Sequence, residues 1–384
     1  MAETIRLRGI GWNHPRCMAP LLASIEDYRR VASSGVEVEW RARSLNEFGE
    51  GNFHELLEYD LIVFDHPYCG QVAREGSMID LSQWLTPAQK AVFAADSLGP
   101  CWESYHAAGG IWGLPLDAAA QVSSLRPDLM QRFGWQVPKT LDEVLSLGAA
   151  ARAQGLYIGW PWVPTDAICT FLTLCASAGF AVSRDKGFFP ARADCVLVLD
   201  AMRRLAAAAH PGSASWNPIV CYDHMSSADD VVYVPYAFGY TNYSRADRAK
   251  PLGYCDIPGL CAATPAGAVL GGAGLGISSG SRHPQAAMDY ALFLCSSEYQ
   301  TGAYVRNGGQ PASRAAWLHQ ANDALTLGFF SGTRATLEQA CLRPTFDGYI
   351  PHFRDAGQFI VACLKGEAGL EDTAERLRQD YFSR

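Results

Sequence analysis

The chain has little lysine. Five of its 31 basic residues are Lys, no Lys/Arg run occurs, and 39 acidic residues leave a net charge of −8. Nucleic-acid surfaces need clustered cations, so no nucleic-acid partner is expected. No apolar run approaches the ~18 residues of a membrane span, so no membrane insertion is expected either. The opening stretch MAETIRLRGIGW has no charged segment followed by an apolar one. That reads as a chain without a signal peptide, and so as a cytoplasmic protein. A mature form written behind a new start Met would instead be periplasmic. None of the twelve cysteines forms a CxxC pair, which excludes zinc-ribbon and thioredoxin chemistry. Twelve unpatterned thiols favour a reducing compartment, with every thiol free. The dinucleotide fingerprint is missing too. GGAGLG lacks its third glycine, and GIGWNH has a histidine in that place. His14, Asp65 and His66 are the candidates for a metal site, but no pair of histidines at helical spacing supports them. No metal and no cofactor are expected.

What is present describes a globular chain. Hydrophobic residues make up 49% and charged residues 18% of 384 positions, a length that implies two domains. The first 65 residues read as β-α-β-α-β: a strand over 4–10, a helix over 19–33, a strand over 36–40, a helix capped by Ser44 and Glu47, and a strand over 60–65. This order implies a parallel sheet with covered faces. Further helices are predicted after Thr86-Pro87 and after Thr140, over 166–179 and over 194–209. A strand with alternate aromatics is predicted over 229–244. A glycine-rich strand is expected to lead into a helix that starts at Pro284. No internal repeat is visible.

In open parallel sheets, ligands bind beyond the carboxyl ends of the strands. WNHPRC follows the first strand and DHPYCG the third. Each holds a His-Pro pair, an aromatic neighbour and a cysteine. Both loops are expected at one rim, either as a ligand-binding wall or as loops that satisfy their own backbone.

A longer pattern points to a family. Trp112-Gly113-Leu114-Pro115, Leu125-Arg126-Pro127-Asp128-Leu129, and Gly134 through Pro138, Thr140, Asp142 and Glu143 resemble the crossover segment of the family 1 extracellular solute-binding proteins. These are the maltodextrin-binding group that serves ABC importers. The block GGAGLGISSGSRHPQAAMDYALFLCSSEYQ, followed by NGGQPASRAAW, is similar to a second stretch of the same family in the same order. The resemblance covers about residues 4–320. It implies an α/β, two-lobed type II periplasmic-binding-protein fold, each lobe a mainly parallel sheet flanked by helices. Lobe 1 would hold residues 1–113 and 265–312, lobe 2 residues 114–264 and 313–384. The ligand would lie in the cleft, and the lobes would close on it about a hinge. An ABC permease would be a partner only of an exported chain, and the protein is expected to be a monomer.

The residues expected at the ligand are Trp12, Asn13, His14, Arg16, Asp65, His66 and Tyr68 from the rim loops. Asp117, Gln121, Trp160, Trp162, Tyr236, Phe238 and Tyr240 follow in the second lobe, with Arg306 near the return of the chain. Aromatic faces suit sugar rings, aromatic ligands or cations, and an arginine suits a carboxylate. For each there is a plainer reading: core packing for the aromatics, surface or interlobe ion pairs for the arginines, a turn cap for Asp117. Two functions remain open at this point. One is a binder of a small polar ligand, sugar-like or a carboxylate or aromatic. The other is a cytoplasmic isomerase, lyase or transferase on the same fold, with Asp65 and His66 as general acid and base and Arg16 or Arg306 holding a carboxylate. An activated Cys69 nucleophile is a weaker variant of the second reading.

Overall fold

The structure is a computed structural model that describes residues 4–32 and 35–384. Ser33, the last residue of the helix read over 19–33, lies outside the described residues. The strands that matter below are β1 (Ile5–Trp12), β2 (Val36–Arg43), β3 (Leu61–Phe64), β4 (Leu114–Leu125), β5 (Tyr157–Ile158), β6 (Val231–Phe238), β7 (Gly253–Cys255) and β8 (Leu270–Ile277). The helices are α1 (Pro15–Val31), α2 (Pro164–Ser177), α3 (Arg192–Ala208), α4 (Pro218–Ser227), α5 (Pro284–Leu294), α6 (Tyr349–Leu364) and α7 (Leu370–Ser383).

The chain divides into two compact units. The first is Met1–Ala118 with Gly271–Leu325 and Thr345–Asp347; the second is Ala119–Leu270 with Thr326–Pro344 and Gly348–Arg384. β4 passes from one to the other at Ala118.

In the first unit β1 pairs in parallel with both β2 and β3, as the β-α-β order requires, and β8 runs antiparallel to β3. Leu7, Leu21, Leu61, Val63, Leu275, Tyr290 and Leu294 form its core. Each such side chain contributes about 1.5–3 kcal/mol on burial. Helix α1 starts four residues earlier than the sequence reading placed it, because His14 is its N-cap and Pro15 fills the first helical position, where no N–H is needed. The box of Ser44 and Glu47 forms, but its helix ends at Glu50. There Gly51 turns left-handed (φ 65°), and a Cβ would strike the ring of Tyr68.

The second unit mixes strand directions. β6 and β7 run antiparallel to β4, and β5 runs parallel to β6. Helix α6 packs on α2 and α3, and α7 on α3. Gly357 permits the first of these contacts, since a Cβ there would lie 2.5 Å from the Pro164 carbonyl oxygen. Every residue of α2 from Asp166 to Cys175 is buried. A helix buried on every side lies in a core, which decides the environment of the acid at its start.

Candidate functional site

The register of β1 against β3 (Gly9 opposite Leu61, Ile10 opposite Ile62) brings the two strands to their carboxyl ends together. Asn13 and Asp65 therefore leave the sheet side by side. Asn13 is exposed, and His14 and Asp65 are half-buried. The backbone N–H of Asn13 donates to the carbonyl of Arg43 at 2.7 Å, which fixes the loop to the end of β2. His14 Nδ1 accepts from the N–H of Arg16 at 3.1 Å. When the ring is neutral its single lone pair is used at Nδ1, and the ring proton sits on Nε2.

The other rim residues point inward. Arg16 is buried and donates to both oxygens of buried Asp117, Nε to Oδ2 at 2.9 Å. Its guanidinium also lies 5.8 Å from the ring centroid of buried Trp12. Of the two readings of Arg16, a carboxylate holder or an ion pair, the ion pair is present, and its acid belongs to the same unit. Tyr68 is buried, donates its hydroxyl to the Gly49 carbonyl, and packs edge-on to Phe53. His66 is buried, with Nδ1 3.3 Å from Asp65 Oδ1 and its ring edge-on to Tyr105. An imidazole enclosed in this way gives the acid–base reading no support. Cys69 is buried in the same place. Arg306 is exposed beyond the helical turn Gln300–Tyr304.

In the second unit, Gln121 and Trp160 share one buried network. Gln121 Nε2 and the Trp160 indole N–H both donate to Thr170 Oγ1, at 3.0 and 3.1 Å, and Thr173 donates to Gln121 Oε1 at 2.7 Å. The polar atoms of both side chains are used in holding β4, α2 and the segment after β5 together. Tyr236 is fully buried, its hydroxyl donating to the Pro258 carbonyl at 2.9 Å. Trp162 and Tyr240 keep 8% exposure each, and Phe238 is half-buried. Trp162 stands beside Trp160, 6.4 Å between ring centroids, and Tyr240 beside Tyr222 at 6.3 Å.

Two features here escaped the sequence reading. Asp166, in the first turn of α2, is 4% exposed and has no hydrogen-bond or ion-pair partner for its carboxyl among the described residues. Burial pushes this carboxyl up to about 8, and its charge in turn helps burial to raise the Cys221 thiol. The signal for it lay in the sequence, since this acid heads the mostly apolar run AICTFLTLC. The second is a group formed by His210, His224 and Asp230, whose ligand atoms lie within 4.8 Å of one another. It brings together the end of α3, helix α4 and the residue before β6. No spacing rule connects these positions in the sequence. Among the described residues none of the twelve cysteines is joined in a disulfide; nine are buried and Cys261 is exposed.

The profile of a family described as bacterial extracellular solute-binding protein matches residues 51–321 of this chain. No curated protein sequence matches it. Among solved structures it is similar to maltose-bound MalE3 of T. maritima, at TM-score 0.83 and 18% identity, covering 98% of this chain and 99% of that one. It is also similar to an ABC-transporter solute-binding protein of Agrobacterium radiobacter K84 in complex with ribitol (TM-score 0.79, 17% identity, 99% of each chain). A third is a solute-binding protein of Agrobacterium vitis S4 with bound D-mannitol (TM-score 0.73, 16% identity, 98% and 97%). At these identities the structures show the fold, that of the two-lobed periplasmic binding proteins. Among the described residues no helix is long and apolar enough to cross a membrane. The family match spans well over half of the chain, and the chain belongs to the bacterial extracellular solute-binding proteins.

Proposed function

We propose that this solute-binding protein binds a neutral polyhydroxy ligand, a sugar or a sugar alcohol. The observation that carries the choice is the pairing of Arg16 with Asp117. Arg16, the cation of the rim loops, is matched by Asp117 within its own unit, while Asn13, His14 and Asp65 bring donors and acceptors of both kinds to the same rim. Hydroxyl groups, which both donate and accept, fit that mixture. Trp162 and Tyr240 supply aromatic faces for the C–H faces of such a ligand. The maltose, ribitol and D-mannitol in the similar structures support the same class.

Delivery to an ABC permease outside the cytoplasm is the role the family supports. Twelve cysteines with no disulfide among the described residues support action in a reducing compartment instead. Fractionation of the native host decides between the two. Ligand class is tested by thermal shift with maltose, ribitol, mannitol, and small carboxylates as the contrast. A shift with a polyol or sugar and none with the carboxylates is expected. A shift confined to the carboxylates overturns the reading.

A further inference from the structure

Two imidazoles and a carboxylate as close as His210, His224 and Asp230 resemble a metal centre, but the hydrogen bonds of His210 oppose one. The N–H of Gly212 donates to His210 Nδ1 at 2.9 Å. The neutral ring then carries its proton on Nε2 and directs it at Asp230 Oδ2, 3.3 Å away. His224 Nε2 meets the other oxygen, Oδ1, at 2.7 Å. A metal on His210 Nε2 would force the proton onto Nδ1, facing the N–H of Gly212. The group is built as a hydrogen-bonded cluster around Asp230.

His210 is also the N-cap of the turn Pro211–Ser215. Ser213 in that turn holds the two-tryptophan segment, because Trp160 N–H donates to Ser213 Oγ and Trp162 N–H to the Ser213 carbonyl, each at 3.2 Å. An unbroken chain of contacts runs from the His210 ring through Gly212 and Ser213 to the backbone of Trp160 and Trp162.

We propose that His210 is a positioning residue that makes the Trp160–Trp162 segment sensitive to acid. With the ring neutral, Nδ1 accepts from Gly212 and the turn is held. A second proton taken from solvent goes to Nδ1, which becomes a donor facing the Gly212 N–H, and the turn loses its cap. The inference rests on the reading above that Trp162 meets the ligand. The groups facing His210 set where this happens. Burial opposes the charged ring most strongly, Asp230 favours it, and His224 and Arg152 oppose it, so that His210 is held below the ordinary histidine range. Trp216 stacks on one face at 4.7 Å and Tyr157 meets the ring edge-on at 4.9 Å. Because the unfolded chain takes the proton first, this contribution to stability is complete above the ordinary imidazole range and drains away as the pH falls below it.

Amide hydrogen exchange on the whole chain tests the proposal, at about pH 7.5 and about pH 5, corrected for intrinsic rates. The proteins are wild type, His210→Asn and His210→Ala. Asparagine keeps an acceptor for Gly212 without titrating. In wild type, protection at Gly212, Trp160 and Trp162 is expected to fall roughly tenfold in acid, the scale of one lost cap. The Asn variant holds its protection at both pH values, and the Ala variant lacks it at both. A shared profile for wild type and the Asn variant overturns the proposal, as does unchanged protection in wild type. Should the Ala variant not fold, the other two proteins still decide. Zinc chloride that raises the Tm of wild type but not of His224→Ala overturns it in favour of a metal centre. Exchange needs no ligand, so absence of mannitol, ribitol and maltose binding at every pH contradicts only the functional reading. Where mannitol binds, its Kd weakens in acid for wild type alone, and equal weakening in the Asn variant contradicts the brace.

Discussion

Arg16 Nε donates to Asp117 Oδ2 at 2.9 Å, and the same guanidinium reaches Oδ1, which joins the second residue of α1 to β4 across 101 positions of sequence. The arginine side chain is 4% exposed and the carboxylate not at all. Removing one partner strands a buried charge. Arg16→Met is therefore expected to lose about 3–5 kcal/mol of unfolding free energy, and Arg16→Met with Asp117→Leu to recover most of it. Urea unfolding of the two variants checks this. A double variant as unstable as the single one would contradict a closed pair.

Asp166 gives a pH dependence of definite sign. Its folded value of about 8 lies above that of an unfolded aspartate, so the unfolded chain gives up the proton first. Stability is fully present in acid, falls as the pH rises from the ordinary carboxylate range towards about 8, and is lowest above it. Asp166→Asn removes the titration. The Tm of wild type should fall relative to that of the variant across this range, and parallel Tm profiles would show that the acid has a partner in the folded chain.

The two neighbouring tryptophans should separate by assay. Trp160→Phe takes the donor away from Thr170 and is expected to cost roughly 1–3 kcal/mol of stability, with ligand affinity kept. Trp162→Ala and Tyr240→Ala are expected to keep a cooperative melt and to weaken polyol binding roughly tenfold to a hundredfold, the value of an aromatic face at ~1.5–3 kcal/mol. Melting and affinity measured on the same three proteins decide. Unchanged affinity in the last two removes both aromatic side chains from the ligand.

The first unit was largely legible in the sequence because its signals are local. Period-two strands, a Ser44/Glu47 box and strand-end loops place Asn13 and Asp65 at one rim without a structure. The start of α1 was misplaced, since His-Pro read as loop chemistry. His14 and His210 both show it instead as an N-cap with proline at the first helical position. In the second unit the periodicity gave no direction. Val231 to Ala237 are all buried, so alternation does not tell which aromatics of β6 face a ligand, and Tyr236 turns out to be anchored to Pro258. The Gln121–Thr170–Thr173 network and the cluster on Asp230 join distant positions, and only tertiary packing brings them together.

The central claim is that Asn13, His14 and Asp65 hold a neutral polyhydroxy ligand while Arg16 stays with Asp117. Isothermal titration of mannitol, ribitol and maltose into wild type and Asp65→Ala tests it most directly. One of the three should bind wild type saturably, and loss of a hydrogen-bonding partner should weaken it by roughly tenfold or more in the variant that remains folded. Equal affinity for wild type and Asp65→Ala, or binding of none of the three beside tight binding of a carboxylate, would contradict it.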